Sequence, residues 1–178
     1  VIRENELYII KAPNGKVLEV KVLNTENVAA SQRCSYSGHP AKQWQFVDAG
    51  GGGWRIQIRF TGKVIDLALG GVVEGTWLHQ WSRTNGWSQC WTLEPTRSGH
   101  TRIRNVLADK YIDLVGMNTA NGAHAQIWTY VAGGNQEWDL VRIDPDAAQA
   151  AKRPGAQPAP PPNPRPPKTH NDLVATHH

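Results

Sequence analysis

Residues 111–138 read YIDLVGMNTANGAHAQIWTYVAGGNQEW. This stretch combines the carboxylate of Asp113 with the side-chain amides of Gln126 and Asn135 and the indole of Trp128. An ionised Asp accepts hydrogen bonds from neighbouring hydroxyls, and each amide both donates and accepts, as a sugar hydroxyl does. A Trp face gives the apolar C–H patch of a sugar ring a flat surface. The stretch therefore indicates a site for a neutral polyol such as a sugar.

The same pattern recurs twice upstream at a constant spacing of 47 residues. Tryptophans and acidic residues both follow this spacing: Trp44, Trp91 and Trp138; Glu19, Asp66 and Asp113. No gap is needed to superpose the three copies, so the chain contains an internal threefold repeat. A residue that the scaffold needs must appear in every copy, whereas a ligand residue can be lost from one. We therefore assign the three tryptophans to the core.

The strand pattern predicts an all-β fold. Alternating segments such as residues 64–67, separated by turn signals, give about four short strands in each repeat and almost no helix. Twelve short strands leave exposed sheet edges, which a closed barrel removes. We predict one threefold barrel capped by hairpins within residues 1–143, and interpret the glycines at 50–53 as a flexible connection. The repeats cover about residues 5–48, 52–95 and 99–143.

Residues 144–178 differ in composition from the rest, because they hold nine of the twelve prolines. A segment with so little to bury predicts a disordered or polyproline-II tail. We favour a linker over an SH3-type ligand around residues 161–168, because motif matches in Pro-rich tails are mostly incidental. The histidines at 170, 177 and 178 have no fixed geometry for a metal site.

Charge and hydropathy exclude two classes of partner. The chain has 19 basic and 15 acidic residues, and no run of Lys or Arg, which argues against nucleic acid. No apolar run approaches the length of about 18 residues that crosses a membrane, so no membrane insertion is expected. Eight tryptophans against two phenylalanines suggest exposed aromatic platforms as well as a core.

The two cysteines, Cys34 and Cys90, occupy unrelated places in the first two repeats. Reduced thiols are the favoured interpretation, although a single bridge stays open. No signal peptide is visible, so we expect a cytoplasmic or non-classically released protein, with secretion left open.

Each repeat closes on Gln-x-Trp or a near version of it: Lys42-Gln43-Trp44, Gln89-Cys90-Trp91 and Gln136-Glu137-Trp138. These closings resemble the ricin B-like, or R-type, lectins with a β-trefoil fold, and the low cysteine content is similar to that of fungal members. The resemblance covers about residues 5–143. It implies a carbohydrate-binding module without catalysis, often for galactose or N-acetylgalactosamine, with up to three shallow pockets and no cofactor.

The resemblance also implies which side chains form each pocket. Repeat three supplies the whole set, with Gly116 as a backbone donor: Asp113, Gly116, Gln126, Trp128, Asn135 and Gln136. Repeat two keeps most of it, with a histidine at the place of the first amide: Asp66, His79, Trp81 and Gln89. Repeat one has lost it, with Glu19, Cys34 and Lys42 at the acid, aromatic and Gln places. Tyr130 either adds a second wall beside Trp128 or packs on the surface.

Other functions are weighed against sugar binding. A glycosidase using Asp66 and Asp113 is disfavoured, because threefold symmetry sets them too far apart for paired carboxylates, and no nucleophile or metal-ligand spacing appears. We therefore expect no enzyme and no metal. A targeting module of a toxin or glycoside hydrolase, and a β-trefoil for protein contacts, stay open. The expected partners are glycans or glycoconjugates, with a homodimer as a source of avidity.

Overall fold

A computed structural model describes residues 2–13, 15–20, 42–114, 123–144 and 171–176. These residues form twelve strands and short 3-10 turns. The strands are β1 (Leu7–Lys11), β2 (Val17–Val20), β3 (Trp44–Gly50), β4 (Gly53–Ile58), β5 (Val64–Leu67), β6 (Leu78–Trp81), β7 (Trp91–Pro95), β8 (Thr101–Asn105), β9 (Lys110–Leu114), β10 (Ala123–Trp128), β11 (Asp139–Arg142) and β12 (Asn171–Thr176).

Six strands form the barrel. Antiparallel pairing runs from β1 through β3, β4 and β7 to β8, and β11 pairs with β1. The ring closes where Thr101 and Trp138 exchange backbone hydrogen bonds of 2.8 Å in both directions. The predicted all-β, threefold barrel is therefore confirmed. No helix within the described ranges is long and apolar enough to cross a membrane.

The core lies inside this barrel and is organised by the three repeated tryptophans. Trp44, Trp91 and Trp138 are fully buried, as predicted. Each indole Nε1 donates a 3.2 Å hydrogen bond to a carbonyl on the second strand of its own repeat: Leu18 O, Ile65 O and Ile112 O. Each acceptor residue directly precedes the acidic residue of its repeat, so the core tryptophan fixes the strand that carries the acid.

The glycine run at 50–53 is a tight turn between β3 and β4. Gly50 pairs with Gly53, and the three residues Gly50, Gly51 and Gly52 have φ of 84°, 62° and 83°. Such values suit glycine because it has no Cβ. The run predicted to be a flexible connection therefore forms a glycine turn, and the register of β3 and β4 shifts between Asp48 and Gly50 just before it.

Hairpins cap the barrel in the second and third repeats. β5 pairs with β6, and β9 pairs with β10. A further strand, β12, lies between β2 on one side and β6 and β10 on the other. Sequence analysis did not anticipate it, since it assigned all of residues 144–178 to a disordered tail. The Leu173-Val174 pair inside this strand supplies the local β propensity that the Pro-rich composition masked.

Candidate functional site

The second and third strands of repeat three place four side chains on one face. Asp113 lies directly opposite Gln126, and Tyr111 lies opposite Trp128. Alternate residues of a strand point to the same face, and directly opposite residues are neighbours. The acid, the amide and the indole predicted from the sequence therefore share one surface, which we call site three.

The carboxylate of Asp113 is fixed at the base of site three. Its Oδ1 accepts a 2.8 Å hydrogen bond from Asn135 Nδ2, and its Oδ2 accepts one of 3.1 Å from Gln136 Nε2. Burial raises the pKa of Asp113, and the hydrogen bonds from Gln136 and Asn135 act against that rise. The group is therefore oriented by both amides and is 3% exposed, and each carboxylate oxygen keeps further acceptor capacity.

Gln136 plays a different role from the one assigned by sequence. Its Nε2 also donates to Thr129 O at 2.9 Å, and its Oε1 accepts from Val131 N at 3.0 Å and Arg102 Nη1 at 3.2 Å. Its side chain is fully buried, and all four of its hydrogen-bonding positions are used. We therefore correct its assignment from ligand contact to positioning of Asp113.

Arg102 was missed by the sequence analysis. Its guanidinium bonds Gln136 and Val131 O, and its Cζ lies 4.6 Å from the ring centroid of Tyr130. The Tyr130 ring in turn packs edge-on against Tyr111 at a centroid distance of 5.9 Å. Arg102 thus connects the support of the acid to Tyr130, which is 56% exposed.

A sequence signal for Arg102 exists in the repeat itself. The equivalent positions, 47 residues apart, are Tyr8, Arg55 and Arg102. Arginine therefore occurs only in the two copies that retain both the Asp and the closing Gln.

Repeat two forms a related face, which we call site two. Asp66 lies opposite His79, and Val64 lies opposite Trp81. The Asp66 Oδ2 accepts a 2.9 Å bond from Gln89 Nε2, while its Oδ1 accepts a 2.7 Å bond from the backbone N–H of Leu67. No amide equivalent to Asn135 is present because Ser88 stands there. The acid is therefore held by one side chain and by its own strand.

The aromatic part of site two is also altered. The rings of His79 and Trp81 stack at a centroid distance of 5.7 Å and an angle of 19°. Trp81 is 37% exposed, whereas His79 is only 2% exposed, so His79 supports the indole rather than presenting a free face. Gln89 is fully buried and holds Asp66, as Gln136 holds Asp113. Direct ligand contact is therefore reassigned to positioning for both His79 and Gln89.

Repeat one replaces the acid–amide pair with an ion pair. Lys42 Nζ lies 3.7 Å from Glu19 Oε2, and both side chains are buried. Burial raises the pKa of Glu19 to about 7, although the charge of Lys42 lowers it. Neither group is presented to a ligand, which agrees with the predicted loss of this site. Cys34 lies outside the described residues, as does Gly116 of site three.

Sites two and three share a boundary. Gly75 N donates to Ile127 O at 2.9 Å, and Ile127 N donates to Thr76 O at 3.0 Å. A Cβ placed on Gly75 would lie 3.8 Å from the Trp128 ring. The loop of repeat two therefore covers one edge of Trp128, which is half-buried and keeps part of its indole accessible.

The comparisons with known proteins agree with this fold. A family model described as "Ricin-type beta-trefoil lectin domain-like" matches residues 2–81 and 87–151. A search of curated proteins gives no match. Three similar solved structures illustrate the range of chains that share this fold.

The designed threefold symmetric protein ThreeFoil is 29% identical with a TM-score of 0.67, covering 77% of this chain and 99% of the designed chain. An exo-beta-1,3-galactanase from Clostridium thermocellum is 28% identical with a TM-score of 0.68, covering 80% of this chain but 31% of the galactanase. A Polyporus squamosus lectin bound to a Neu5Aca2-6Galb1-4GlcNAc epitope is 16% identical, with a TM-score of 0.63 over 79% of this chain and 50% of the lectin. The last likeness shows the fold alone.

A closed threefold barrel with hairpin caps is a β-trefoil. The chain belongs to the ricin-type β-trefoil lectin-like family, because the family model matches most of its length. Membership in this family supports carbohydrate binding in general.

Proposed function

We propose that this chain is a lectin that binds galactose- or N-acetylgalactosamine-type glycans through site three, without catalysis. The observation that carries the proposal is the shared face of Asp113, Gln126 and Trp128, with the carboxylate fixed by Asn135. A carboxylate held in this way accepts hydrogen bonds from two vicinal hydroxyls, while the indole receives the apolar face of the ring.

The choice of galactose-type sugars rests on two kinds of support. The resemblance to R-type lectins favours them, and so does the similarity to the exo-beta-1,3-galactanase, which is 28% identical. Those specificities belong to the proteins named. For this chain they select which sugars to test first.

Site two is a second, weaker site in this proposal. Trp81 presents an exposed ring, but among the described residues only the side chain of Gln89 bonds Asp66. One shallow site with few hydrogen bonds binds a monosaccharide with a Kd of roughly 0.1 to 1 mM. Two sites in one chain, or a homodimer, would raise the apparent affinity for a surface that carries many glycans.

The test is a glycan array read with the wild type and three variants. Trp128→Ala should remove most of the galactose-type signal, and Trp81→Ala should remove a smaller part. Leu107→Ala is the control, because Leu107 is 50% exposed and lies in the turn between β8 and β9, away from both sites. An unchanged signal in Trp128→Ala would exclude site three, and a signal confined to sugars without galactose would exclude the proposed specificity.

A second candidate is a targeting module for a larger toxin or hydrolase. It is favoured by partial coverage, since this chain matches 31% of the galactanase and 18% of a mosquitocidal holotoxin. Both candidates bind sugars. They differ in whether residues 144–178 join the trefoil to a further catalytic part, which mass analysis of the native protein would decide.

A further inference from the structure

The strand β12 occupies a place that threefold symmetry gives to another part of the chain. In repeats two and three, the residue opposite the acid lies thirteen positions after it, as in Asp66 with His79 and Asp113 with Gln126. The same rule assigns residue 32 to Glu19. The structure instead places Val174 opposite Glu19, which is 142 positions beyond the expected partner.

Two other registers give the same offset. Trp77 of repeat two is bridged to Gln126 of repeat three. Moving the pair back by one repeat of 47 residues gives residue 30 opposite His79. The structure instead has Asp172 opposite His79. Moving the pair one repeat forward, with the first repeat following the third, gives His124 opposite residue 32. The structure has Val174 opposite His124. In each comparison, β12 occupies the place that the repeat rule assigns to residues 29–34, and its residue numbers are higher by 142.

We propose that the third-strand place of repeat one is a peptide-binding site, and that its occupant is this chain's own segment Asn171–Thr176. The mode is β-augmentation, in which an extended segment pairs with an available strand. Backbone pairing to β2, β6 and β10 provides the affinity.

Sequence composition supports the exchange. Residues 29–34 read AASQRC and contain no β-branched or aromatic side chain, whereas residues 171–176 read NDLVAT and include Val174 and Thr176. β-Branched residues favour strands, so the later segment is the better strand former. The 26 residues at 145–170 reach roughly 80 Å when extended as polyproline II, which is ample for binding within one chain.

The repeats then have different binding roles. Repeats two and three present sugar-binding faces, while repeat one holds the Asn171–Thr176 segment. Because β12 also pairs with β6 and β10, its binding supports the two strands that carry Trp81 and Trp128.

The register provides a direct competition test. Val17 lies opposite Thr176, and the repeat rule would place it opposite Cys34. Directly opposite residues on antiparallel strands are close enough for a disulfide. In the full chain, Val17→Cys/Thr176→Cys leaves native Cys34 as the competitor. Mild oxidation followed by peptide mass spectrometry shows which cysteine pairs with position 17.

We expect the disulfide 17–176 within one chain, in at least tenfold excess over 17–34. A dominant 17–34 bond would overturn the proposal, and so would a 17–176 bond found only in dimers or the absence of both bonds. Continued protection of the buried thiol of Cys90 from alkylation verifies that the variant is folded.

A second measurement needs no substitution in the barrel. Val174→Pro removes a backbone donor and breaks strand pairing at that residue. Amide hydrogen exchange of Val17–Val20 should then accelerate by tenfold or more, whereas Lys168→Pro, placed before the strand, should leave it unchanged. Equal protection of β2 in both variants would exclude pairing with Asn171–Thr176.

Discussion

The indole of Trp138 donates a 3.2 Å hydrogen bond to the carbonyl of Ile112, the residue directly before the acid of site three. Two positions earlier, Gln136 bonds the carboxylate of Asp113 itself. One Gln-x-Trp motif therefore holds both the strand and the side chain of the acid. The motif is structural, although its loss would be detected in binding.

Gln136→Ala should weaken sugar binding at site three without removing a ligand contact. The change removes the side chain to which Val131 N, Arg102 Nη1 and the Asp113 carboxylate are all hydrogen-bonded. We expect the free energy of unfolding to fall by about 1–3 kcal/mol, the usual cost of leaving buried polar groups unpaired. Denaturant unfolding and calorimetric titration with galactose measure the two effects. Gln89→Ala should lower stability similarly but spare site three, and equal loss of site-three binding in both variants would contradict this role.

Arg102→Lys should lower affinity at site three even though the positive charge is kept. A lysine cannot bond Gln136 and Val131 O together while lying flat over Tyr130. We expect a loss of roughly fivefold to tenfold, or about 1–1.4 kcal/mol. The same substitution at Arg55 in repeat two is the matched control. An unchanged affinity in Arg102→Lys would show that this guanidinium does not support the site.

Binding at site three should weaken in mild acid. Burial raises the pKa of Asp113, with opposing hydrogen bonds from Gln136 and Asn135, so protonation begins at a higher pH than for a free Asp. A protonated carboxyl loses acceptor capacity for sugar hydroxyls. Titration of galactose affinity between pH 7 and 4 should follow this loss. The experiment uses the Trp81→Ala background to isolate site three, and a flat profile would argue against ligand contact by Asp113.

The Glu19–Lys42 pair predicts a dependence of stability on pH. Because the pKa of Glu19 is raised from 4.5 to about 7, the folded state binds more protons than the unfolded state within that window. The free energy of unfolding contributed by this group therefore falls as the pH rises from about 4.5 to 7. The loss is at most about 3–4 kcal/mol, at roughly 1.4 kcal/mol per pKa unit.

The double variant Glu19→Gln/Lys42→Gln tests this dependence and avoids leaving one buried charge alone. Its unfolding free energy, measured by denaturant at several pH values, should vary less than that of the wild type over the same window. Identical pH profiles for the two proteins would exclude Glu19 as the source.

The sequence predicted the features that repeat three times and missed those that depend on side-chain direction. The fixed spacing identified the barrel and the buried Trp44, Trp91 and Trp138. It also placed Asp113 beside Gln126, because strand alternation determines which residues share a face. The burial of Gln136 could not be read in this way, since a Gln serves equally well in contact with a ligand or behind one.

β12 was missed for a different reason. The composition was assessed over residues 144–178 as a whole. Its many prolines predict no strand and obscure the strand propensity of six residues near its end. Asn171–Thr176 pairs with β2, which lies more than 140 residues earlier in the chain. Such long-range pairing leaves no periodic signal, so it appears only in the three-dimensional register.

Each of the three repeated core indoles donates its hydrogen bond to a main-chain oxygen, which has a practical consequence for protein engineering. A library that varies the residues at 126 and 128 changes half-buried side chains on the β9–β10 face, while the N–H of Trp138 keeps its acceptor whatever side chain position 112 carries. New sugar preferences can therefore be selected in one lobe at a time, with the other two lobes serving as internal references for correct assembly.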